Sequence, residues 1–318
     1  MSSVRAVAPA KINLSLRVRA LRPDGYHEIT TVFHAVSLAD EVTVTAAPAG
    51  AGRSVTTTGE RAGSVPRGDD NIAAQAAVAL AHYAGLADPD VTIEISKSIP
   101  VAAGMAGGSA DAAATLVALK RLWSLDLTDA DLAGIAAQLG SDVPFSLMGG
   151  TARGIGRGEV LTPVLTDGDL HWVVAMSDTE LSTPAVYAEW DRLLADGLVS
   201  AAGEPDRGGY ADPPGHAADA DAPLLAALRQ GDPREVARHL VNDLEPAAVS
   251  LRPHLRGVLD AGAELGALAG MVSGSGPTCV FLAEGREAAI ALAAEMSGTG
   301  LVRGVRHAVG PAPGARLQ

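Results

Sequence analysis

Residues 91–122 constrain this chain more than any other stretch. Val91-Thr92-Ile93-Glu94-Ile95 alternates apolar and polar side chains with the period of a half-buried strand. It leads into Pro100-Val101-Ala102-Ala103-Gly104-Met105-Ala106-Gly107-Gly108-Ser109-Ala110-Asp111, a glycine-rich loop that runs directly into an alanine-rich helical segment. Strand, glycine loop and helix N-terminus in that order can cradle phosphate. Glycines let the main chain approach oxygens closely, and the first N–H groups of a helix have no intrahelical partner. The alternative is a tight packing turn. Neither G-x-x-x-x-G-K-[ST] nor G-x-G-x-x-G occurs here, so the two common nucleotide loops are excluded.

Charge limits what the chain can bind. A net charge of −13 disfavours nucleic acid and anionic membrane as partners. Any anion site must therefore be locally positive. Only three of 24 basic residues are lysines, Lys11, Lys97 and Lys120, and the first two fall in segments singled out below. Apolar residues make up 47% of 318, enough for a substantial core, and the length suggests about two domains. No apolar run is long enough for a membrane span, and the start has no signal-peptide pattern, so a cytoplasmic address is expected. The single Cys279 lies in an apolar run and is expected to be a buried, inert thiol.

Periodicity predicts strands at 4–8, 12–20, 28–37, 41–46, 55–58 and 91–96. Helices are predicted at 71–83, capped by Asp69 or Asp70, at 109–122 with Asp111 in the first turn, and at 129–139 between Thr128 and Gly140. The second half reads as strand 171–176, helix 184–194 with Thr183 as N-cap, and helices 223–230, 233–240 and 245–261. Strand 278–282, helix 286–296 and strand 301–309 follow. Residues 201–223, rich in Gly, Pro, Asp and Ala, read as a mobile insertion. This mixture indicates an α+β fold in two lobes, 1–160 and 161–318.

Three further segments bear chemistry. In Pro9-Ala10-Lys11-Ile12-Asn13-Leu14, alternation puts Lys11 and Asn13 on one strand face and Ile12 and Leu14 on the other. The polar pair is either a solvated surface pair or part of a site. In Leu139-Gly140-Ser141-Asp142-Val143-Pro144, glycine ends a helix and proline stiffens the exit, holding Asp142 on a short bend. In Asp24-Gly25-Tyr26-His27, a turn presents an aromatic ring and an imidazole at a strand mouth. They are placed either to hold a flat base or to pack a hairpin.

With Asn71-Ile72, Asn242-Asp243-Leu244-Glu245 and Ser273-Gly274-Ser275-Gly276, these segments occur in the order and spacing of one family, and the chain resembles the GHMP small-molecule kinases. The Asp-Gly-Tyr-His and Leu-Gly-x-Asp-Val-Pro motifs resemble the branch whose acceptor alcohol carries a cytidine diphosphate. The resemblance implies an N-terminal lobe like the second domain of ribosomal protein S5, a ferredoxin-like C-terminal lobe, and an active site in the cleft between them. It implies ATP as co-substrate with Mg²⁺, Asp142 as catalytic carboxylate and Lys11 as its partner. Residues Pro100 through Ala110, with Asn71, Ile72 and Lys97, would bind ATP. Asn13, Tyr26, His27, Thr183 and Tyr187 would bind the acceptor, and Ser273–Gly276 would lie near the reacting phosphate. The loop departs from the family pattern: Met105, Ala106, Gly107 and Gly108 replace residues that include serines, so no metal ligand is assigned. Three alternatives remain: a GHMP kinase for homoserine, mevalonate or a sugar, a non-catalytic sensor on the same fold, and a nucleotide-binding protein whose motif matches arise by chance, which the number of ordered matches disfavours. The Asp-Gly-Tyr-His motif speaks against the first, and the presence of Asp142 and Lys11 against the second. Oligomeric state is not legible in the sequence.

Overall fold

Two long antiparallel strands organise the chain. In this computed structural model, which describes residues 2–23, 25–201 and 220–318, β1 (Ser3–Leu21) pairs with β2 (His27–Ala46) along most of its length. The sequence predicts four shorter strands here. The observed ladder runs through the expected breaks because bulges at Pro9/Ala10, Asn13/Ser15 and Val18/Leu21 absorb the irregularities. Ile12 and Leu14 point into the core, as alternation requires.

β2 is long enough to carry two partners side by side. β4 (Val91–Lys97) pairs with Glu41–Ala46 and β5 (Thr151–Gly156) with Ile29–His34. β3 (Arg53–Gly59) lies parallel to β4, and β6 (Val160–Pro163) pairs with β5. β1 is likewise shared. The short strands β8 (Val241–Asn242) and β12 (Arg316–Leu317) join it at Ser15–Leu16 and Ala6–Val7. β5, β6, β8 and β12 are not among the predicted elements. Each is short, and pairing with a neighbouring strand rather than local pattern decides its conformation.

Helices α1 (Ile72–Tyr83) and α2 (Gly107–Leu122) pack their alanine faces together and against this sheet. Asn71 caps α1 in place of the expected Asp69 or Asp70: its Oδ1 accepts from Ala73 N at 2.8 Å. α3 (Asp129–Leu139) carries the expected Thr128 cap as a reciprocal capping box with Asp131. α2 begins at Gly107, so Asp111 lies in its second turn rather than its first.

The second sheet has the order β11-β7-β10-β9, formed by Gly304–Gly310, Leu170–Met176, Cys279–Ala283 and Ala269–Val272. Both faces are covered. Trp172, Val174, Val280 and Leu282 join the core of the first sheet, while Val173, Ala175, Cys279 and Phe281 pack under helices. That double burial explains the unbroken apolar run of β10. The helix predicted at 245–261 is two helices, Glu245–Leu251 and His254–Glu264, because Pro253 forces Arg252 out of helical geometry.

Residues 202–219 of the expected insertion lie outside the described residues. After them, Ala222–Gln230 is helical, and the preceding Asp221 is 1% exposed and accepts a 2.7 Å hydrogen bond from Ser15 Oγ. Among the described residues, no helix is long and apolar enough to cross a membrane.

Candidate active site

A cleft of about 790 Å³ lies where the glycine loop, the cleft face of β1–β2, α5 (Thr183–Ala195) and the Ser273–Gly276 loop converge. Lys11 and Asn13 line it, but they are not a solvated pair. Lys11 is 7% and Asn13 2% exposed, and Lys11 Nζ donates to Asn13 Oδ1 at 2.8 Å. Lys11 Nζ also lies 3.7 Å from Asp142 Oδ2 and 5.6 Å from the centre of the Phe33 ring. Asp142 stands at the entrance to α4 (Val143–Met148) and makes no side-chain cap bond there. Its carboxylate is therefore turned to Lys11 and the cleft rather than to the local backbone.

The glycine loop docks on the same strand: Lys11 N donates to Met105 O at 3.2 Å. Ala102 and Ala106 both hold left-handed φ, 53° and 57°, so the loop keeps a glycine-like backbone without glycine at those positions. Each costs roughly 1–2 kcal/mol. Ala110 N makes a 2.9 Å bond to Ala106 O, so Gly107, Gly108 and Ser109 precede the first closed turn of α2 and their N–H groups are the orphan donors. Pro100, Val101, Ala102, Ala103, Gly104, Ala106, Gly107 and Gly108 line the cleft. Met105 and Ala110 face the core instead, and Ser109 is half-buried outside the lining.

Lys97 also reaches the cleft wall, but its charge is already committed. Its Nζ contacts the carboxylate of Asp40, Asp111 Oδ2 at 2.7 Å and Gly107 O at 3.2 Å. Asp40 in turn accepts from Ser98 N at 2.6 Å and Ile99 N at 2.8 Å, fixing the turn from β4 into the loop. Burial alone would lower the Lys97 ammonium, yet Asp111 and Asp40 together outweigh it and raise it. Burial holds Asp111 above the ordinary carboxylate range against the pull of Lys97. Asp40 is a residue that sequence reasoning misses, because its partner is 57 residues away.

Asn71 and Ile72 are not in the lining. Asn71 Nδ2 donates to Pro66 O at 2.8 Å and so holds Pro66, which is; Ile72 sits behind Gly108.

On α5 the spacing of four places Thr183, Tyr187 and Asp191 along the cleft, while Val186, Trp190 and Leu193 face the core. Thr183 is the first residue of α5, not its cap. Ser182 precedes it, and Thr183 Oγ1 bonds to Ser275 Oγ at 2.9 Å. Tyr187 stacks on His27, centroids 5.0 Å apart at 13°. Burial, and secondarily the charge of Asp142, push the Tyr187 phenol up to about 12. His27 is buried, with Nδ1 3.0 Å from Arg19 O and Nε2 3.3 Å from Asp191 Oδ1. Tyr26 is 56% exposed, with the Arg157 guanidinium 5.0 Å from its ring centre. Asp24 of that motif lies outside the described residues.

The Ser273–Gly276 loop closes the site from the second sheet. Gly274 approaches Lys11 Nζ and Asn13 Oδ1 so closely that a Cβ there would lie 3.3 Å from each. Asn242 holds this loop, donating to Val272 O and Gly274 O, both at 2.8 Å. Gly274 and Ser275 line the cleft; Ser273 and Gly276 are buried behind it.

Comparison with known proteins gives consistent findings. The GHMP kinases N terminal domain matches residues 71–150 and the GHMP kinases C terminal domain residues 224–301. A 4-diphosphocytidyl-2-C-methyl-D-erythritol kinase of Nocardia farcinica is 53% identical over 316 residues, covering 99% of this chain and 96% of that protein. One of Rhodococcus jostii is 54% identical over 310 residues, covering 98% and 93%. A crystal structure of 4-(cytidine 5'-diphospho)-2C-methyl-D-erythritol kinase superposes with a TM-score of 0.72 at 33% identity, covering 96% of this chain and 98% of that one. Homoserine kinase from Cytophaga hutchinsonii, at 19% identity and a TM-score of 0.73, shares the fold.

Proposed function

The chain belongs to the GHMP kinase family, and on that premise we propose that it transfers the γ-phosphoryl group of ATP to the 2-hydroxyl of 4-diphosphocytidyl-2-C-methyl-D-erythritol, a step of non-mevalonate isoprenoid precursor synthesis. The observation that carries the reading is Lys11 beside Asp142 at 3.7 Å, between the glycine loop and the Ser273–Gly276 loop in one cleft. ATP phosphates lie along Pro100–Ser109 and take the orphan N–H groups at the start of α2. Asp142 orients the acceptor hydroxyl and takes its proton as the new P–O bond forms; the bond from γ-phosphorus to the β-bridging oxygen breaks and ADP leaves. The Lys11 ammonium pairs with the Asp142 carboxylate and stabilises negative charge on the transferring group.

Mg²⁺ is expected with the nucleotide, where it neutralises phosphate charge. Among the described residues there is no group of three or more His, Cys, Asp or Glu side chains suited to a metal, and no residue of this chain is assigned as its ligand. Cytosine is held by Tyr26, Tyr187 and His27; the His27 ring stacks on Tyr187, and its Nε2 exchanges the Asp191 carboxylate for the edge of the base. The first lobe extends through β6 (Val160–Pro163), and β8 and β12 from the second half of the chain return to its sheet.

A coupled ADP-release assay with ATP, Mg²⁺ and the cytidylylated acceptor tests this, with Asp142→Asn as control. Turnover that falls at least ~10²-fold in the folded variant is the expected result. Normal turnover of Asp142→Asn would remove the base assignment. No turnover by folded, ATP-binding wild type would move the substrate to another GHMP acceptor or the protein to the sensor class.

A further inference from the structure

We infer that Thr31 is a positioning residue for phosphoryl transfer, fixing the orientation of Asn13 and through it the place of the Lys11 ammonium. The inference rests on the reading of Lys11 and Asp142 given above. Thr31 lies on β2 beneath Asn13, is fully buried, and touches no space a ligand could enter. Its hydroxyl has two neighbours: Ser15 O at 2.6 Å and Asn13 Nδ2 at 2.8 Å.

The direction of every bond in this chain follows from elementary donor counting. A carbonyl oxygen carries no hydrogen, so the contact with Ser15 O consumes the single Thr31 hydroxyl proton. Toward Asn13 the Thr31 oxygen can then only accept. An amide presents NH₂ at one end and oxygen at the other, so the NH₂ end of Asn13 must face Thr31. Its Oδ1 is thereby aimed at Lys11 Nζ, 2.8 Å away. The flipped amide would set a carbonyl oxygen against the Thr31 lone pairs and NH₂ against an ammonium, losing both bonds. One Lys11 N–H is thus tethered from below, and the other two remain for Asp142 and the incoming phosphate.

The bulge between Asn13 and Ser15 makes this geometry possible. It lets Asn13 and Lys11 share the cleft face with Leu16 and Ile29 while Ser15 turns to the other side, toward Asp221. The relay Lys11–Asn13–Thr31–Ser15 therefore ends in the main chain of the strand that carries the lysine. It ties the ammonium to a rigid element rather than to another mobile side chain.

The test compares Thr31→Val, which keeps the branched shape and removes the hydroxyl, with Thr31→Ser, which keeps the hydroxyl and loses a methyl group. Each is assayed by ADP release and by thermal melting. Expected is a kcat about tenfold lower for Thr31→Val, the loss of roughly one hydrogen bond's worth of placement, with KM for ATP unchanged. Thr31→Ser should stay within about threefold of wild type. In an Asn13→Ala background, Thr31→Val should cause no further loss of kcat, because nothing is left to orient. A Thr31→Val enzyme with wild-type kcat overturns the proposal. So does an equal loss in the Val and Ser variants that merely follows their melting temperatures. Asp142→Asn in the same assay separates the two levels of argument. If it is slow while Thr31→Val is normal, the positioning role alone is rejected; if it turns over normally, the site reading and the positioning role fall together.

Discussion

Gly104→Ala tests whether the two loops that close the cleft act as one unit. Gly104 has φ +74°, and a Cβ built on it would lie 2.0 Å from the carbonyl oxygen of Ser273 and 3.0 Å from Gly276 N. A carbon and a carbonyl oxygen approach to about 3.3 Å, so the loops must part by roughly 1.3 Å. Neither neighbour is a flexible side-chain end, so the backbone itself has to move. Left-handed φ adds roughly 1–2 kcal/mol for any residue with a Cβ. A displacement near 1 Å of a positioning element costs on the order of 10²-fold in rate. Gly274, which abuts Lys11 and Asn13, would be carried away with Ser273. The expected result is therefore a kcat about 10²-fold lower, with a reduced melting temperature but a folded protein. Steady-state ADP release at saturating ATP and acceptor measures the first, and a thermal melt the second. Gly134→Ala is the control, since a Cβ there meets nothing within 4 Å and should leave both values unchanged or slightly improved. A folded Gly104→Ala enzyme within about threefold of wild-type kcat would refute the coupling of the loops.

Three other perturbations probe separate parts of the molecule. His27→Ala should raise KM for the cytidylylated acceptor and leave KM for ATP alone; equal effects on both would argue against a base-holding role. Lys97→Met leaves the carboxyls of Asp40 and Asp111 buried without their cation and should destabilise the protein by about 3–5 kcal/mol in chemical denaturation, whereas a loss under about 1 kcal/mol would show the trio to be dispensable. His34 is fully buried, and burial lowers it to about 3. The unfolded chain then binds the extra proton below its ordinary value near 6.5, so this group's contribution is full above pH 6.5 and is lost as pH falls. From pH 7.5 to pH 5 the loss is about 2 kcal/mol, and His34→Leu should lack that part of the slope in urea titrations at the two pH values.

Much of the site is legible in the sequence because its signals are local. The glycine loop, the Thr128 capping box, the bend holding Asp142 and the shared face of Lys11 and Asn13 each arise within a few residues. What local pattern cannot give is long-range partnership. Nothing near Asp40 announces that it meets Lys97, and nothing near Thr31 announces the carbonyl of Ser15. Bulges are equally hidden: they preserve the ladder while breaking alternation, so β1 and β2 read as four strands. Other signals are local and present in the sequence. Arg252-Pro253 marks a helix break, and Asn71 is as good a cap as the aspartates before it. The charge of Lys97 looks available in a list of residues; only burial between two carboxylates shows that it is spent.

The sharing of β1 among β2, β8 and β12 has a consequence for how this protein is made. The ribosome releases β1 first, but two of its partner strands come from the last quarter of the chain, and β12 consists of Arg316 and Leu317. Until β8 and then β12 have been made, the strand bearing Lys11 keeps open edges at Ser15–Leu16 and Ala6–Val7, the kind of surface on which nascent chains pair wrongly. Both ends of the first sheet's framework are tied in this way, since Ser3 at the start of β1 is laddered to Thr45 while Arg316 and Leu317 pair with Val7 and Ala6.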